Sequence, residues 1–116
     1  ADIVFDTVGG GYAEPALRTL AWGGRYLVVG FPAGIPSIPL NLTLLKSCDI
    51  RGVFWGAAVR RDPAAHHRAM DELLALHARG AVKPPVADVL PLERAGEAIA
   101  RLSGRGVTGK LVLELA

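Results

Sequence analysis

Glycine is the residue type most suggestive of chemistry in this 116-residue sequence. Gly9-Gly10-Gly11 follows one apolar run, and Gly30 with Gly34 follows a second. Where such runs are parallel strands, ligands bind in the crevice beyond their C-terminal ends. A residue without a Cβ lets the backbone come close to such a ligand. The same glycines would equally serve plain turns, and both readings stay open at this level. The dinucleotide fingerprint Gly-x-Gly-x-x-Gly is absent, because Val8-Gly9-Gly10-Gly11 has neither its spacing nor its helix entry.

The other reactive residue types offer less. His66, His67 and His77 fall on one expected helix, but no cysteine or carboxylate joins them at a metal-ligand spacing, so no metal site is expected. Cys48 has no evident base beside it and reads as a small buried side chain. Asp2 and Asp6 invite an acid–base role, yet Asp6 stands at a strand end, where turn formation accounts for it. No Ser-His-Asp set is discernible.

Composition narrows the class. Hydrophobic residues make up 51% and charged residues 21%, which is globular rather than disordered. The formal charge is +2, with Arg60-Arg61 and His66-His67-Arg68 as local basic clusters. No aromatics interleave with them, so a solvated face is expected and nucleic acid is not. Apolar runs such as Tyr26-Leu27-Val28-Val29 are strand-length, so no membrane span is expected. One cysteine precludes an intrachain disulfide and fits a reducing, cytoplasmic setting.

The elements that position the glycines follow from periodicity. Residues 2–6 read as a strand, and Ala13, Ala16, Leu17 and Leu20 as the apolar stripe of a helix with Pro15 in its first turn. Gly23-Gly24 ends that helix and residues 26–30 form the next strand, which makes a parallel β-α-β unit. A proline-rich loop, a short helix over 40–46 and a third strand, Ile50 to Trp55, come next, with Gly56 as the stop. Asp62 and Pro63 open a helix to about residue 79 with Met70, Leu73, Leu74 and His77 on one face. A strand over 86–90, a helix over 92–102 directing Ala95, Ile99 and Leu102 inward, and a strand over 110–115 complete the chain. One side of strand 2–6 has no neighbour in this layout, and the sequence enters that strand almost at once. A longer parent chain is therefore expected.

Asp6-Thr7-Val8-Gly9-Gly10, and Leu20-Ala21-Trp22-Gly23-Gly24-Arg25 running into Val28-Val29-Gly30-Phe31, resemble the medium-chain dehydrogenase/reductase superfamily. Pro39-Leu40-Asn41, Gly52-Val53-Phe54-Trp55-Gly56 and Val107-Thr108-Gly109-Lys110-Leu111-Val112 resemble its zinc-free quinone oxidoreductase branch. The resemblance spans essentially the whole sequence. It implies an α/β fold: a partial Rossmann domain of three parallel strands with helices over residues 1–82, and a strand-helix-strand return segment over 83–116 that belongs to a catalytic domain. Members are about three times longer, so the N-terminal portion of the enzyme would lie outside this chain.

The function so implied is NAD(P)H-dependent reduction of quinones or α,β-unsaturated carbonyls by hydride transfer, with NADP or NAD as cofactor and no zinc. The resemblance assigns Val8 and Gly9 to the nicotinamide-ribose side of the crevice. It sets Gly30 and Phe31 beside the nicotinamide, Phe54 and Trp55 near the same ring, and Lys110 in the cofactor-facing part of the return segment. Phe54 and Trp55 are equally readable as core or interface aromatics. The chain alone is expected to bind cofactor weakly or not at all and to be inactive; the alternative is a structural or dimerisation module. A homodimer through the edge strand Ile50–Trp55 is expected, because Val53, Phe54 and Trp55 are poor residues to leave on a bare edge.

Overall fold

A computed structural model describes residues 1–104 and 106–115, which divide into two compact units, Ala1–His66 and His67–Ala116. The first contains β1 (Ile3–Asp6), a 3-10 turn at Gly10–Tyr12, α1 (Ala13–Arg18), β2 (Arg25–Val28), α2 (Asn41–Lys46), β3 (Asp49–Gly52) and α3 (Trp55–Arg61). The strands form one sheet in the order β1-β2-β3, and both pairings are parallel, with Val4 opposite Tyr26 and Tyr26 opposite Ile50. This is the α/β arrangement expected from the strand-helix-strand pattern.

Alternation along the strands decides what is covered. Val4 and Val28 share the face of the buried Tyr26, and there they pack with Ala13, Leu17 and Leu20 of the α1 segment and with Leu42 and Cys48 around α2. The opposite face carries Ile3 and Phe5, which are 58% and 65% exposed. Pro15 lies in the first turn of α1 as expected, and the Thr19 hydroxyl donates to the Ala16 carbonyl where the helix ends. Lys46, at the end of α2, donates from Nζ to the Leu20 carbonyl at 2.6 Å, which ties α2 to the turn before β2.

The third strand is shorter than expected. β3 stops at Gly52; Val53 N–H still donates to the Val28 carbonyl at 2.8 Å, and the chain then turns at Phe54 into α3. Trp55 therefore opens a helix instead of closing a strand. Gly56 suggests a stop, but it sits in the first turn of α3, ahead of the strong helix formers Ala57 and Ala58. Both alanine amides donate to the Phe54 carbonyl at 3.1 Å, which closes that first turn.

α4 (Pro63–Ala78) follows, capped by Asp62 Oδ1, which accepts from Ala65 N–H at 2.8 Å. None of its residues is buried, including the expected inward set Met70, Leu73, Leu74 and His77. The second unit contains β4 (Val86–Pro91), a 3-10 turn at Leu92–Arg94, α5 (Ala95–Ser103) and β5 (Lys110–Glu114), with β4 and β5 parallel. This is the expected strand-helix-strand segment. Its helix is rotated from the expected phase: Ala98 is buried, whereas Ile99 and Leu102 are exposed. Residues 95, 98 and 101 make the less exposed side, and Arg101 reaches Asp88 of β4 at 2.8 Å, so a long side chain occupies the place assigned to a leucine. Among the described residues, no helix is long and apolar enough to cross a membrane.

Candidate functional site

The ends of β1 and β2 meet at Asp6, the last residue of β1 and only 8% exposed. Its Oδ1 accepts from Val8 N–H at 2.8 Å and from Gly9 N–H at 2.9 Å, and its Oδ2 accepts from the Tyr26 hydroxyl. The Tyr26 hydrogen bond, followed by that of the Gly9 amide, holds the Asp6 carboxyl below the usual aspartate range against the opposing effect of burial. Burial first, and the Asp6 carboxylate second, push the Tyr26 phenol well above its ordinary value. At neutral pH the pair is therefore a carboxylate receiving three hydrogen bonds and a phenol that keeps its proton. The expected turn-forming role of Asp6 is confirmed. Its partner Tyr26 lies 20 positions away, and neither residue stands out as a pair in the sequence.

Asp6 also acts through its main chain. Its carbonyl accepts from Val29 N–H at 2.8 Å and from Gly30 N–H at 3.3 Å, so the exit of β2 hangs on the same residue. Beyond it the two strand-end loops are joined by backbone bonds. Ala33 N–H donates to the Val8 carbonyl at 3.0 Å and Gly10 N–H donates to the Gly34 carbonyl at 2.8 Å, while within the second loop Gly34 N–H donates to the Phe31 carbonyl at 2.9 Å. Gly9 has φ +69°, in the left-handed region where a Cβ is disfavoured, and it lies against Phe31. Gly9 thus serves a turn and a close packing contact together.

Alongside these loops, at the ends of β2 and β3, lies a cleft of about 420 Å³ lined by Val28, Val29, Gly30, Phe31, Gly52, Val53 and Phe54. That volume falls in the range of small-molecule sites, roughly 300–1,000 Å³. The lining is apolar and none of its side chains ionises, so the cleft can hold a flat apolar group and keep water from it but cannot supply a proton or a nucleophile. Phe54, 76% exposed, stands at its rim.

The expected site residues fall in four places. Gly30, Phe31 and Phe54 come together in the cleft lining. Val8 and Gly9 lie outside that lining, in the loop hydrogen-bonded to the Phe31–Gly34 turn. Trp55 is the first residue of α3 and meets the His66 ring edge-on, with centroids 5.5 Å apart. Lys110 opens β5 in the second unit. The lining also takes in Val28, Val29, Gly52 and Val53, whose contribution was signalled only by their position at strand ends. Among the described residues, no group of three or more His, Cys, Asp or Glu is placed to hold a metal ion.

Comparison with known proteins agrees with this architecture. The family model for zinc-binding dehydrogenase matches residues 1–113. The quinone oxidoreductase-like protein 2 of Bos taurus is 36% identical over 98% of this chain and 33% of its own length. Prostaglandin reductase-3 of Mus musculus is 32% identical, over 98% of this chain and 34% of its own length. Among solved structures, the quinone oxidoreductase of Thermus thermophilus, determined also as a complex with NADPH, superposes with a TM-score of 0.80. It is 32% identical, with 98% of this chain and 36% of that one covered. The chain thus spans about a third of the length of the curated relatives it matches.

Proposed function

The chain belongs to the zinc-binding dehydrogenase family, and on that premise we propose that it is the part of an NAD(P)H-dependent reductase that seats the nicotinamide ring, for hydride transfer to a quinone or an α,β-unsaturated carbonyl. The observation that carries this reading is the apolar cleft at the strand ends, where Gly30 is flanked by the Phe31 and Phe54 aromatics. The residues present fit such a group. A flat heteroaromatic ring needs apolar walls, a glycine that admits it to the backbone, and main-chain polar atoms to orient its substituent. NADH or NADPH would supply the hydride when bound. Phe31, Phe54, Val28 and Val53 exclude water from the transfer, and backbone groups at Gly30 and Phe31 orient the ring.

The names of the relatives called prostaglandin reductase and acryloyl-coenzyme A reductase support an unsaturated carbonyl as acceptor, and that of the Thermus thermophilus protein supports a quinone. No step of this reading passes through zinc. Val8 and Gly9 border the ribose side of the ring, Trp55 contributes to the outer wall and Lys110 to the return segment. The reading places the enzyme in the cytoplasm, consistent with a single thiol at Cys48. On this reading the 116 residues taken alone bind weakly, because the apolar cleft lining offers no charged side chain to the cofactor's phosphates, and they do not turn over.

The test is a titration of the full chain with nicotinamide mononucleotide, followed by an assay with NADPH and a small quinone. Amide shift changes concentrated at Gly30, Phe31 and Phe54 are expected, without enzyme-like oxidation of NADPH. Changes confined to α4 would overturn the site assignment, and turnover at enzyme-like rates would overturn the claim that the chain is incomplete as a catalyst.

A second reading, a dimerisation module, is favoured by one observation: β3 ends the sheet, so one of its sides carries no strand among the described residues. Two copies paired there around a two-fold axis would continue the sheet as a homodimer.

A further inference from the structure

Asp6 does not line the cleft, yet it makes contacts on both sides of the junction that frames it. Through Oδ1 it holds Val8 and Gly9 of the first loop. Through its carbonyl it holds Val29 and Gly30 of the second, and these two residues do line the cleft. Through Oδ2 it is anchored to Tyr26, which is 1% exposed and lies in the middle of the core. We propose that Asp6 is a positioning residue for the cleft, its carboxylate fixing the first loop against the second so that the placement of Gly30 and Phe31 depends on a side chain that never touches the ligand.

The physical argument is one of connectivity. The first loop bonds to the second at Val8 with Ala33 and at Gly10 with Gly34, and Gly9 packs on Phe31. Those contacts require Val8 to Gly10 to hold one conformation, with Gly9 and Gly10 both at positive φ. Glycine has the widest choice of backbone states, so such a segment needs an external constraint to remain in one of them. The carboxylate of Asp6 supplies it, because it receives two consecutive amides and is itself held by the hydroxyl of the buried Tyr26. Burial also makes the arrangement costly to leave half-made: a carboxylate deprived of these donors in the core loses more than the bonds are worth in water.

The experiment is site-resolved hydrogen exchange on the full chain, comparing wild type with Asp6→Asn, Asp6→Ala and Tyr26→Phe, without any ligand. Asp6→Ala is expected to accelerate exchange at Gly10, Ala33 and Gly34 by at least tenfold, while Cys48 and Asp49, bonded in the α2–β3 region, change much less. Asp6→Asn keeps an oxygen for Val8 and Gly9 and is expected to rescue most of the effect, with Tyr26→Phe between the two. Equal acceleration at all these amides would mean general destabilisation and overturn the proposal. A response confined to Val8 and Gly9, with Ala33 and Gly34 unchanged, would overturn it as well. Should Asp6→Ala not fold, Tyr26→Phe carries the same comparison, since it leaves the Oδ1 bonds formable.

The binding arm rests on the proposed nicotinamide site and separates the two claims. Nicotinamide mononucleotide is expected to bind Asp6→Ala and Tyr26→Phe at least threefold more weakly than wild type and Asp6→Asn nearly as well as wild type, and unchanged affinity in the first two would overturn the positioning role. Failure of the wild type to bind the probe would count against the nicotinamide reading alone, the exchange result then deciding on Asp6 by itself.

Discussion

Gly9 and Phe31 are packed so closely that a Cβ built on Gly9 would lie 2.5 Å from the Phe31 Cβ and 2.8 Å from its Cα. Neither atom belongs to the flexible end of a side chain, so neither can give way without moving the second loop. Gly9→Ala is therefore expected to lower the unfolding free energy by about 2–4 kcal/mol, combining left-handed strain with overpacking. Urea denaturation would measure it, and a loss below about 1 kcal/mol, the ordinary effect of a point mutation, would show that the loops are not locked together.

Gly30 is the converse case. An added Cβ would meet only the Thr7 carbonyl at 3.5 Å and Pro32 Cδ at 3.9 Å, which are ordinary contacts. Gly30→Ala is expected to change stability by less than about 1 kcal/mol, while the methyl group on the cleft lining weakens nicotinamide mononucleotide about tenfold, or roughly 1.4 kcal/mol. Calorimetric titration beside a thermal melt checks both halves. An alanine variant that binds as well as wild type would move the ligand away from Gly30.

The Asp6–Tyr26 pair sets a pH dependence at each end of the scale. The folded-state pKa of Asp6 lies below its unfolded value of about 3.9, so its contribution is present above that value and is lost as the pH falls through the folded one. Wild-type stability is expected to decline from about pH 5 downward, and Asp6→Asn to be less stable at neutral pH with a flatter acid limb. Tyr26 is shifted the other way, so its contribution is present below about pH 10 and is lost as the pH rises toward the folded value. Tyr26→Phe is expected to cost about 1.5–3 kcal/mol at pH 7, as for a hydrogen bond to a charged group. Urea midpoints across the pH range give all of these, and an Asp6→Asn acid limb as steep as wild type would place the titrating group elsewhere.

Edge pairing of β3 is tested at a position the ladder leaves free. Asp49 N–H donates to the Gly24 carbonyl at 3.0 Å and Val53 N–H to the Val28 carbonyl at 2.8 Å. By alternation, the amides of Ile50 and Gly52 face the open side of the strand. Ile50→Pro removes one outward donor without touching the bond to β2, and it is expected to convert a dimer at tens of micromolar into a monomer in sedimentation. Val53 would be the wrong place, since its N–H is used inside the sheet. A wild-type monomer, or a folded Ile50→Pro dimer, would reject this interface.

The β1-α1-β2 unit was legible because Ala13, Leu17 and Leu20 recur at helical spacing between two strand-length apolar runs, and the structure buries all three. The crevice was legible in outline, since strand ends followed by glycine mark it in any parallel sheet, and Gly30, Phe31 and Phe54 do meet there. α3 was not legible: Val53-Phe54-Trp55 has the composition of a strand, and only the alanines after Gly56 favour a helix. The phase of α5 was missed because Arg101 uses its stem and its charge at once, which hydrophobic periodicity does not register. The Asp6–Tyr26 pair was missed for another reason: it is created by register, which brings residues 20 positions apart onto one face of neighbouring strands.

The bonds between the two strand-end loops run between amides and carbonyls, at Val8 with Ala33 and at Gly10 with Gly34. A frame of that kind is indifferent to most side-chain changes, as long as the glycines and Asp6 are kept. Phe31, Val53 and Phe54 can then be exchanged for residues of other sizes without rebuilding what holds them. The shape of the cleft can change across such a surface in small steps, each leaving a folded protein behind it, and a library confined to those three positions would sample new cleft shapes at little risk to the scaffold.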